Sequence, residues 1–191
     1  MTMAQSPLSL SLDLQPNPPY ERGLSLVLVY LSAPIIHKGS RKDDFCRTVV
    51  RVIEERGIRI FAPQFQEPAE PEEIYRRDVH NVRMCDFVVV EVSKPSLGVG
   101  MEIMLGIELM KPLLMFYEIG SNPLSKMVKG ADGKVLFEYR SLEDVEQILR
   151  SHNLEHLIVQ KCPACDSQVV EVDNDNLRCV GCGFEIHQTT V

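Results

Sequence analysis

Regular hydrophobic patterning begins at Leu24, from which continuous apolar runs alternate with amphipathic stretches. A strand that is covered on both faces shows no polar alternation, so continuous runs rich in β-branched residues predict buried strands. Five such runs follow one another along the chain: LSLVLVYL, IRIFAP, DFVVVEVS, PLLMFY and VLFEY. Helices are predicted between them, and strands that alternate with helices indicate an α/β fold. We therefore predict a doubly wound, mostly parallel five-stranded sheet with helices on both faces.

The helices are predicted from apolar stripes and from residues typical of helix ends. In RKDDFCRTVVRVIEERG the apolar residues fall on one helical face, and Gly57 follows where a terminating glycine belongs. Two further helices are predicted over Pro71–Met84 and Val99–Met110. A last helix is predicted after Ser141, which forms a capping box with Asp144 three residues later.

The composition changes at both ends of the chain. Residues 1–22 contain four of the twelve prolines, which fix φ and remove hydrogen-bond donors, so we predict a flexible tail there. Residues 23–153 hold the predicted strands and helices and form the main domain. From Lys161 short β-prone runs alternate with Cys-x-x-Cys pairs, which predicts a second, small module over residues 160–188.

The charge balance narrows the range of partners. Lys and Arg number 20 and Asp and Glu number 27, which gives a formal net charge of −7. An acidic chain lacks the basic stripes that bind nucleic-acid polymers, although a local backbone cradle can still hold one phosphate. The apolar runs are shorter than the roughly 18 residues of a membrane helix, and the first residues show no signal-peptide pattern. We predict a cytoplasmic protein with no membrane association and no nucleic-acid polymer as partner.

Four of the six cysteines form two Cys-x-x-Cys pairs that are thirteen residues apart: Cys162, Cys165, Cys179 and Cys182. Two such turns present four thiolates, which is the ligand set of a tetrahedral zinc site. The segment resembles a zinc ribbon, and metal binding would supply folding energy that so few apolar side chains cannot. Four thiolates close the coordination shell, so we predict structural zinc and no cofactor for catalysis. The ribbon could also dock an unknown partner.

Two other interpretations of these cysteines have less support. A pair of disulfides would suit a secreted module, but the sequence shows no secretion signal. A redox role for one Cys-x-x-Cys pair would call for a thioredoxin-like pattern around it, which the sequence does not show.

The stretch after the third predicted strand has the composition of a phosphate-binding loop. In DFVVVEVSKPSLGVGME the strand ends at Ser93, and Gly98 and Gly100 flank the predicted helix start. Parallel sheets bind ligands beyond the carboxyl ends of their strands, where helix amides and the Ser96 hydroxyl can cradle a phosphate. Glu102 is predicted in the first helical turn, facing the same crevice. Taken alone, the two glycines fit close helix packing equally well.

Four segments in one colinear order resemble the nucleoside 2-deoxyribosyltransferase superfamily: VYLSAPI, RDVHNVRMCDFVVVEV, PSLGVGME and LSKMVKGADG. Within it, the chain is most similar to the 2′-deoxynucleoside 5′-monophosphate N-glycosidase branch. PSLGVGME is the most specific of these segments, because the transferases usually place a different, aspartate-containing loop before the glutamate. The resemblance covers roughly residues 24–150 and leaves the predicted ribbon outside.

The resemblance implies an enzyme that hydrolyses the N-glycosidic bond of a nucleoside 5′-monophosphate. By position, Glu102 would be the nucleophile that forms a covalent glycosyl ester, as in retaining glycosidases. Asp78 would be the acid that assists departure of the base, and Tyr30 would orient Glu102 through its hydroxyl.

The resemblance also implies substrate contacts and an assembly. Ser96, Gly98 and Gly100 would hold the phosphate. Ser125 matches a serine that reaches the phosphate from a neighbouring subunit, and Met127 follows it in the same substrate-binding segment. A homodimer or a higher homo-oligomer would follow.

The loop after the first strand departs from the N-glycosidase pattern. Pro34 stands where that branch has a phosphate-contacting serine, and Ile36 stands where it has arginine. Proline donates no N–H, so one phosphate contact is missing or moved. The segment LSAPI is also similar to the nucleoside-accepting transferases. Two alternatives are therefore a nucleoside 2-deoxyribosyltransferase that exchanges bases and a non-catalytic nucleotide-binding module.

Overall fold

The computed structural model describes residues 27–35, 42–121, 123–173 and 176–186. Five parallel strands form one sheet in the order β2-β1-β3-β4-β5. They are β1 (Leu28–Ser32), β2 (Arg59–Phe61), β3 (Phe87–Glu91), β4 (Leu113–Glu118) and β5 (Lys134–Tyr139). This order confirms the predicted doubly wound α/β sheet. The predicted tail over residues 1–22 lies outside the described residues.

Helices cover both faces of this sheet. They are α1 (Asp43–Glu55), α2 (Pro71–Met84), α3 (Leu97–Glu108), α4 (Lys126–Lys129) and α5 (Leu142–Ser151). Helices α1 and α5 bury Phe45 and Leu149 against one face, and α2 and α3 bury Val82 and Ile103 against the other. The strands are uninterrupted apolar runs because both of their faces are covered. Among the described residues, no helix has the length and hydropathy needed to cross a membrane.

Two predicted helix ends are present in the structure. Ser141 Oγ accepts from the Asp144 backbone N–H at 3.4 Å, and the Asp144 carboxylate accepts from the Ser141 N–H at 3.1 Å. These reciprocal bonds are the predicted capping box at the start of α5. Gly57 follows α1 with a φ of 72°, a left-handed conformation that suits glycine.

The start of α3 differs from the prediction. The helix begins at Leu97, two residues earlier than predicted, and the Gly100 N–H donates to the Ser96 carbonyl at 3.1 Å. The first turn forms on the glycines themselves, because neither needs a left-handed conformation there. Gly98 and Gly100 therefore lie within the first turn instead of flanking it, and Glu102 lies in the second turn.

The C-terminal residues form a second sheet, which is antiparallel and four-stranded in the order β6-β7-β8-β9. Its strands are β6 (Leu157–Val159), β7 (Val169–Asp173), β8 (Asn176–Cys179) and β9 (Glu185–Ile186). Val169 and Val180 are buried in the same core as residues of α1 and α5. The Asn153 N–H donates to the buried Glu171 carboxylate at 2.6 Å. The C-terminal module therefore packs directly on the parallel-sheet domain.

Candidate active site

The carboxylate of Glu102 lies between α3 and β1, where two hydroxyl groups hold it. Tyr30 Oη donates to Glu102 Oε1 at 2.9 Å, and Ser32 Oγ donates to Oε2. Tyr30 and Ser32 are two residues apart on β1, and side chains at that spacing emerge on the same face of a strand. Each carboxylate oxygen of Glu102 therefore has one hydroxyl donor from β1.

The surroundings of Glu102 favour the protonated carboxyl. Burial raises the pKa of Glu102 from 4.5 to about 7, the hydrogen bonds from Ser32 and Tyr30 oppose this rise, and the charge of Asp78 adds to it. Burial, followed by the charges of Glu102 and Asp78, also raises the pKa of Tyr30 well above its usual range. Tyr30 is therefore a neutral donor at physiological pH, whereas Glu102 titrates near neutrality.

Asp78 lies on α2, the helix that packs beside α3, and its charge acts on both Tyr30 and Glu102. Arg77 Nε donates to Asp78 Oδ1 at 3.0 Å, and the Arg77 guanidinium lies 5.8 Å from the ring centroid of Phe61. Phe61 in turn stacks on Tyr30 with ring centroids 5.8 Å apart. The structure thus brings Tyr30, Asp78 and Glu102 into one electrostatic neighbourhood. We call these three residues the candidate trio.

A cavity of about 830 Å³ opens beside α3 and the loop before it. Four of the predicted substrate-binding residues line it: Ser96, Gly100, Ser125 and Met127. Pro34 lines the cavity as well, so the residue that departs from the N-glycosidase pattern faces this space. Ile36 lies outside the described residues. Lys94 and Lys126 bring cationic side chains to the same cavity.

The candidate trio and the cavity meet along α3. Gly100 lines the cavity, and Glu102 follows it two residues later. The candidate trio and Gly98 lie outside the lining of this cavity as the described residues form it. A Cβ added at Gly98 or Gly100 meets no atom within 4 Å, so close helix packing does not require glycine at either position.

Two residues that support the site, Ser32 and Glu91, were not predicted from the sequence. Ser32 is two residues from Tyr30 on a buried strand, and this spacing indicates that both side chains lie on the same face. Glu91 is fully buried on the opposite face and accepts from Ser93 N at 3.3 Å, from Tyr139 Oη at 3.0 Å and from Ser93 Oγ. Burial raises the pKa of Glu91. Glu91 thereby anchors Ser93, where the cavity-lining loop begins.

The four predicted metal-ligating cysteines come together in the C-terminal module. Their ligand atoms all lie within 4.8 Å of one another: Cys162, Cys165, Cys179 and Cys182. The Sγ–Sγ distance is 3.8 Å between Cys162 and Cys182 and 3.6 Å between Cys165 and Cys179. A tetrahedral site with Zn–S bonds of about 2.3 Å has sulfur–sulfur edges of about 3.8 Å, whereas a disulfide bond measures about 2.05 Å. The four cysteines can therefore bind a metal ion.

The family model described as nucleoside 2-deoxyribosyltransferase matches residues 29–128, which is slightly more than half of the 191 residues. The matched region runs from β1 into α4 and contains the whole candidate trio. The chain belongs to the nucleoside 2-deoxyribosyltransferase family, as the sequence motifs predicted.

Two curated relatives resemble part of the chain. A protein of Syntrophotalea carbinolica, provisionally named 2′-deoxynucleoside 5′-phosphate N-hydrolase 1, is 40% identical over 78 residues, covering 40% of this chain and 55% of the relative. The 5-hydroxymethyl-dUMP N-hydrolase of Danio rerio is 38% identical over 82 residues, covering 41% of this chain and 57% of the relative. The chain thus spans little more than half the length of the curated relatives it matches.

One solved structure, the CMP N-glycosidase of Clostridium botulinum, superposes with a TM-score of 0.52 at 16% sequence identity. The superposition covers 64% of this chain and 98% of that structure. At this level of identity the similarity shows the fold alone.

Proposed function

We propose that the protein is an N-glycosidase that hydrolyses the bond between base and sugar in a nucleoside 5′-monophosphate. The observation that carries this proposal is the half-buried Glu102, whose two oxygens each receive one hydroxyl and keep further lone pairs for a substrate. A module that only binds nucleotides needs no such nucleophile. The names of the relatives, which are N-hydrolases of nucleoside 5′-phosphates, support the same substrate class.

The proposed reaction has two steps at the anomeric carbon. In the first, a carboxylate oxygen of Glu102 bonds to that carbon while the carbon–nitrogen bond breaks. The bonding electron pair leaves with the base, and Asp78 supplies a proton to it. In the second step water attacks the same carbon and displaces Glu102, and Asp78 accepts the proton of the water. Tyr30 and Ser32 hold the attacking carboxylate in position throughout.

The cavity beside α3 suits the 5′-phosphate. The first backbone N–H groups of a helix lack intrahelical partners and attract anions, and the Ser96 hydroxyl lies at this end of α3. Gly100, which lines the cavity, leaves open space where a side chain would stand, so a phosphate oxygen can approach the backbone there. Lys94 and Lys126 add positive charge to a chain that is acidic as a whole.

Pro34 favours a second candidate function, a nucleoside 2-deoxyribosyltransferase that acts without the phosphate. This residue lines the cavity and offers no N–H to a phosphate. In that reaction a free base, in place of water, would attack the same glycosyl ester. The two functions differ in the need for a 5′-phosphate and in the acceptance of a second base.

Incubation with a panel of nucleosides and nucleoside monophosphates, with and without a second free base, tests these functions. Chromatography should show a released base and a sugar phosphate from the monophosphates, and no activity with Glu102→Gln. A new nucleoside formed from the added base would identify a transferase. Binding of nucleotides without release of any base would instead support the non-catalytic module.

We further propose that the metal of the four-cysteine site is structural zinc. The sulfur–sulfur distances of 3.6 and 3.8 Å support tetrahedral coordination by thiolates, the arrangement of structural zinc sites. Four ligands from the protein leave no open position for a substrate. A reducing compartment keeps such cysteines as thiolates, which is consistent with a cytoplasmic location.

We also propose a homodimer that forms over the mouth of the cavity. Leu97 is 91% exposed, Met104 is 51% exposed and Met127 is 82% exposed, and all three line the cavity. Large exposed apolar side chains grouped in this way are typical of protein–protein contacts. A second copy would cover them and would bring its own Ser125 toward the phosphate, as the family resemblance implies.

A further inference from the structure

Gln168, in the loop between the second cysteine and β7, joins the C-terminal module to the parallel-sheet domain. Its Oε1 accepts from the Gly133 N–H at 3.0 Å, and its Nε2 donates to Asp132 Oδ1 at 3.1 Å. Its backbone N–H donates to the Lys134 carbonyl at 2.7 Å. One residue of the module therefore binds three consecutive residues of the other domain.

Asp132 and Gly133 connect α4 to β5, which begins at Lys134. Asp132 lines the cavity itself. Gly133 is buried, has a φ of 67° and accepts at its carbonyl from the Leu113 N–H on β4 at 2.9 Å. A buried N–H without a partner is costly, and the side chain of Gln168 provides that partner for Gly133. The segment from Ser125 to Asp132 is thus fixed at its end by the C-terminal module.

The cysteine cluster in turn fixes the loop that carries Gln168. The Cys162 N–H donates to the carbonyl of Ser167, the residue before Gln168, at 2.9 Å. Gly181 lies between the last two cysteines, and a Cβ added there would approach Ser167 Cβ to 2.8 Å and Val135 to 3.3 Å. Metal binding, which closes the two cysteine pairs on each other, would hold Ser167 and Gln168 against the start of β5.

We propose that Gln168 is a positioning residue through which the four-cysteine module sets the shape of the nucleotide cavity. The module lies outside residues 29–128, the part that matches the family, so it adds an external support to the family's site. This inference rests on the proposed function only in assigning the cavity to a nucleotide. Loss of the support weakens substrate binding and leaves the chemistry of the candidate trio intact.

Substitution of Gln168 separates positioning from simple stability. Gln168→Ala removes both side-chain bonds, and Gln147→Ala on the exposed side of α5 is the matched control. Hydrogen exchange at the Gly133 amide should accelerate about tenfold in Gln168→Ala and stay unchanged in the control. The KM for the nucleoside monophosphate that the wild type cleaves fastest in the panel above should rise about tenfold while kcat stays within twofold, because the lost interaction concerns binding and not the reacting carboxylate. A purely structural role would lower the melting temperature and leave KM unchanged.

A charge-pair rescue makes the test specific to the contact with Asp132. Gln168→Glu keeps an acceptor for the Gly133 N–H but places a carboxylate against that of Asp132, so binding of the same monophosphate should weaken about tenfold. Adding Asp132→Asn supplies an amide donor to the new carboxylate and should recover most of the loss. Removal of the metal with a chelator should raise exchange at Gly133 in the wild type, a readout that requires no activity.

Unchanged exchange at Gly133 in Gln168→Ala would overturn the inference, as would a double variant no better than Gln168→Glu. If Gln168→Ala does not fold, the charge-pair variants decide the question by themselves. If the wild type neither binds nor cleaves nucleotides, the proposed function fails, and the exchange measurement still shows whether Gln168 fixes the segment.

Discussion

Replacement of Glu102 by glutamine should change the free energy of unfolding relative to the wild type by an amount that shifts in favour of the variant as the pH rises. In the folded protein, burial raises the pKa of Glu102 from 4.5 to about 7. Between these values the folded state holds a proton that the unfolded state has released. Stability from this group is therefore fully present below pH 4.5 and is lost as the pH rises through about 7.

A rise from 4.5 to about 7 corresponds to about 3 kcal/mol in the free energy of unfolding. Glutamine cannot ionise, so the Glu102→Gln variant does not lose this free energy of unfolding as the pH rises. Changes in the hydrogen bonds to Tyr30 and Ser32 add an offset that does not vary with pH. The difference between variant and wild type should therefore grow in favour of the variant by about 3 kcal/mol from pH 4.5 to pH 8.5.

Urea denaturation at intervals between pH 4.5 and pH 8.5 measures this difference directly, because the other titrating groups cancel between the two proteins. Glu138→Gln, at an exposed position on β5, is the matched control and should follow the wild type across the range. A stability difference between Glu102→Gln and wild type that stays constant with pH would refute the argument that the folded protein buries an ionisable carboxyl here.

Three further predictions concern the reaction, the metal and the assembly. Because the proposed reaction requires an ionised Glu102, kcat/KM should rise with pH through about 7, and a flat profile down to pH 5 would contradict this proposed role. Elemental analysis should find about one zinc per chain, with a lower content in Cys179→Ser, and metal-free protein with oxidised cysteine pairs would exclude the zinc site. Mixing inactive Glu102→Ala and Ser125→Ala protomers should restore part of the activity if subunits share sites, whereas an active monomer in sedimentation would exclude sharing.

The strands and most helices of the main sheet were predictable because both faces of a parallel sheet are covered. A strand that is buried on both faces needs apolar side chains at successive positions, so it is visible in the sequence as a nearly uninterrupted apolar run, as in Phe87–Glu91. The start of α3 was less predictable, because glycines carry no preference that separates a loop from a first helical turn. The helix therefore begins at Leu97, and Glu102 lies one turn deeper than the spacing suggested.

Contacts between residues that are far apart in the sequence could not be predicted from local sequence patterns. Ser32 and Gln168 are ordinary polar residues whose partners lie 70 and 35 positions away, as in the bonds to Glu102 and Gly133. Strand β6 precedes the first cysteine of the metal site, and no local sequence motif predicts that it pairs with β7. Motifs identify groups that are close in sequence or shared by a family, and these contacts are neither.

Glu91 and Glu102 both lie near the carboxyl ends of the strands, and burial raises the pKa of each. Their hydrogen bonds show why only Glu102 suits the proposed nucleophilic attack. Glu91 is fully buried and receives three hydrogen bonds, two from Ser93 and one from Tyr139, so little of its accepting capacity is free. Among the described residues, Glu102 receives hydrogen bonds from two hydroxyls, and it remains partly accessible between β1 and α3. A carboxylate that attacks carbon needs an unoccupied lone pair and a path to the substrate. The same edge thus holds one carboxyl that organises the loop at Ser93 and one that has the open lone pairs that the proposed reaction requires.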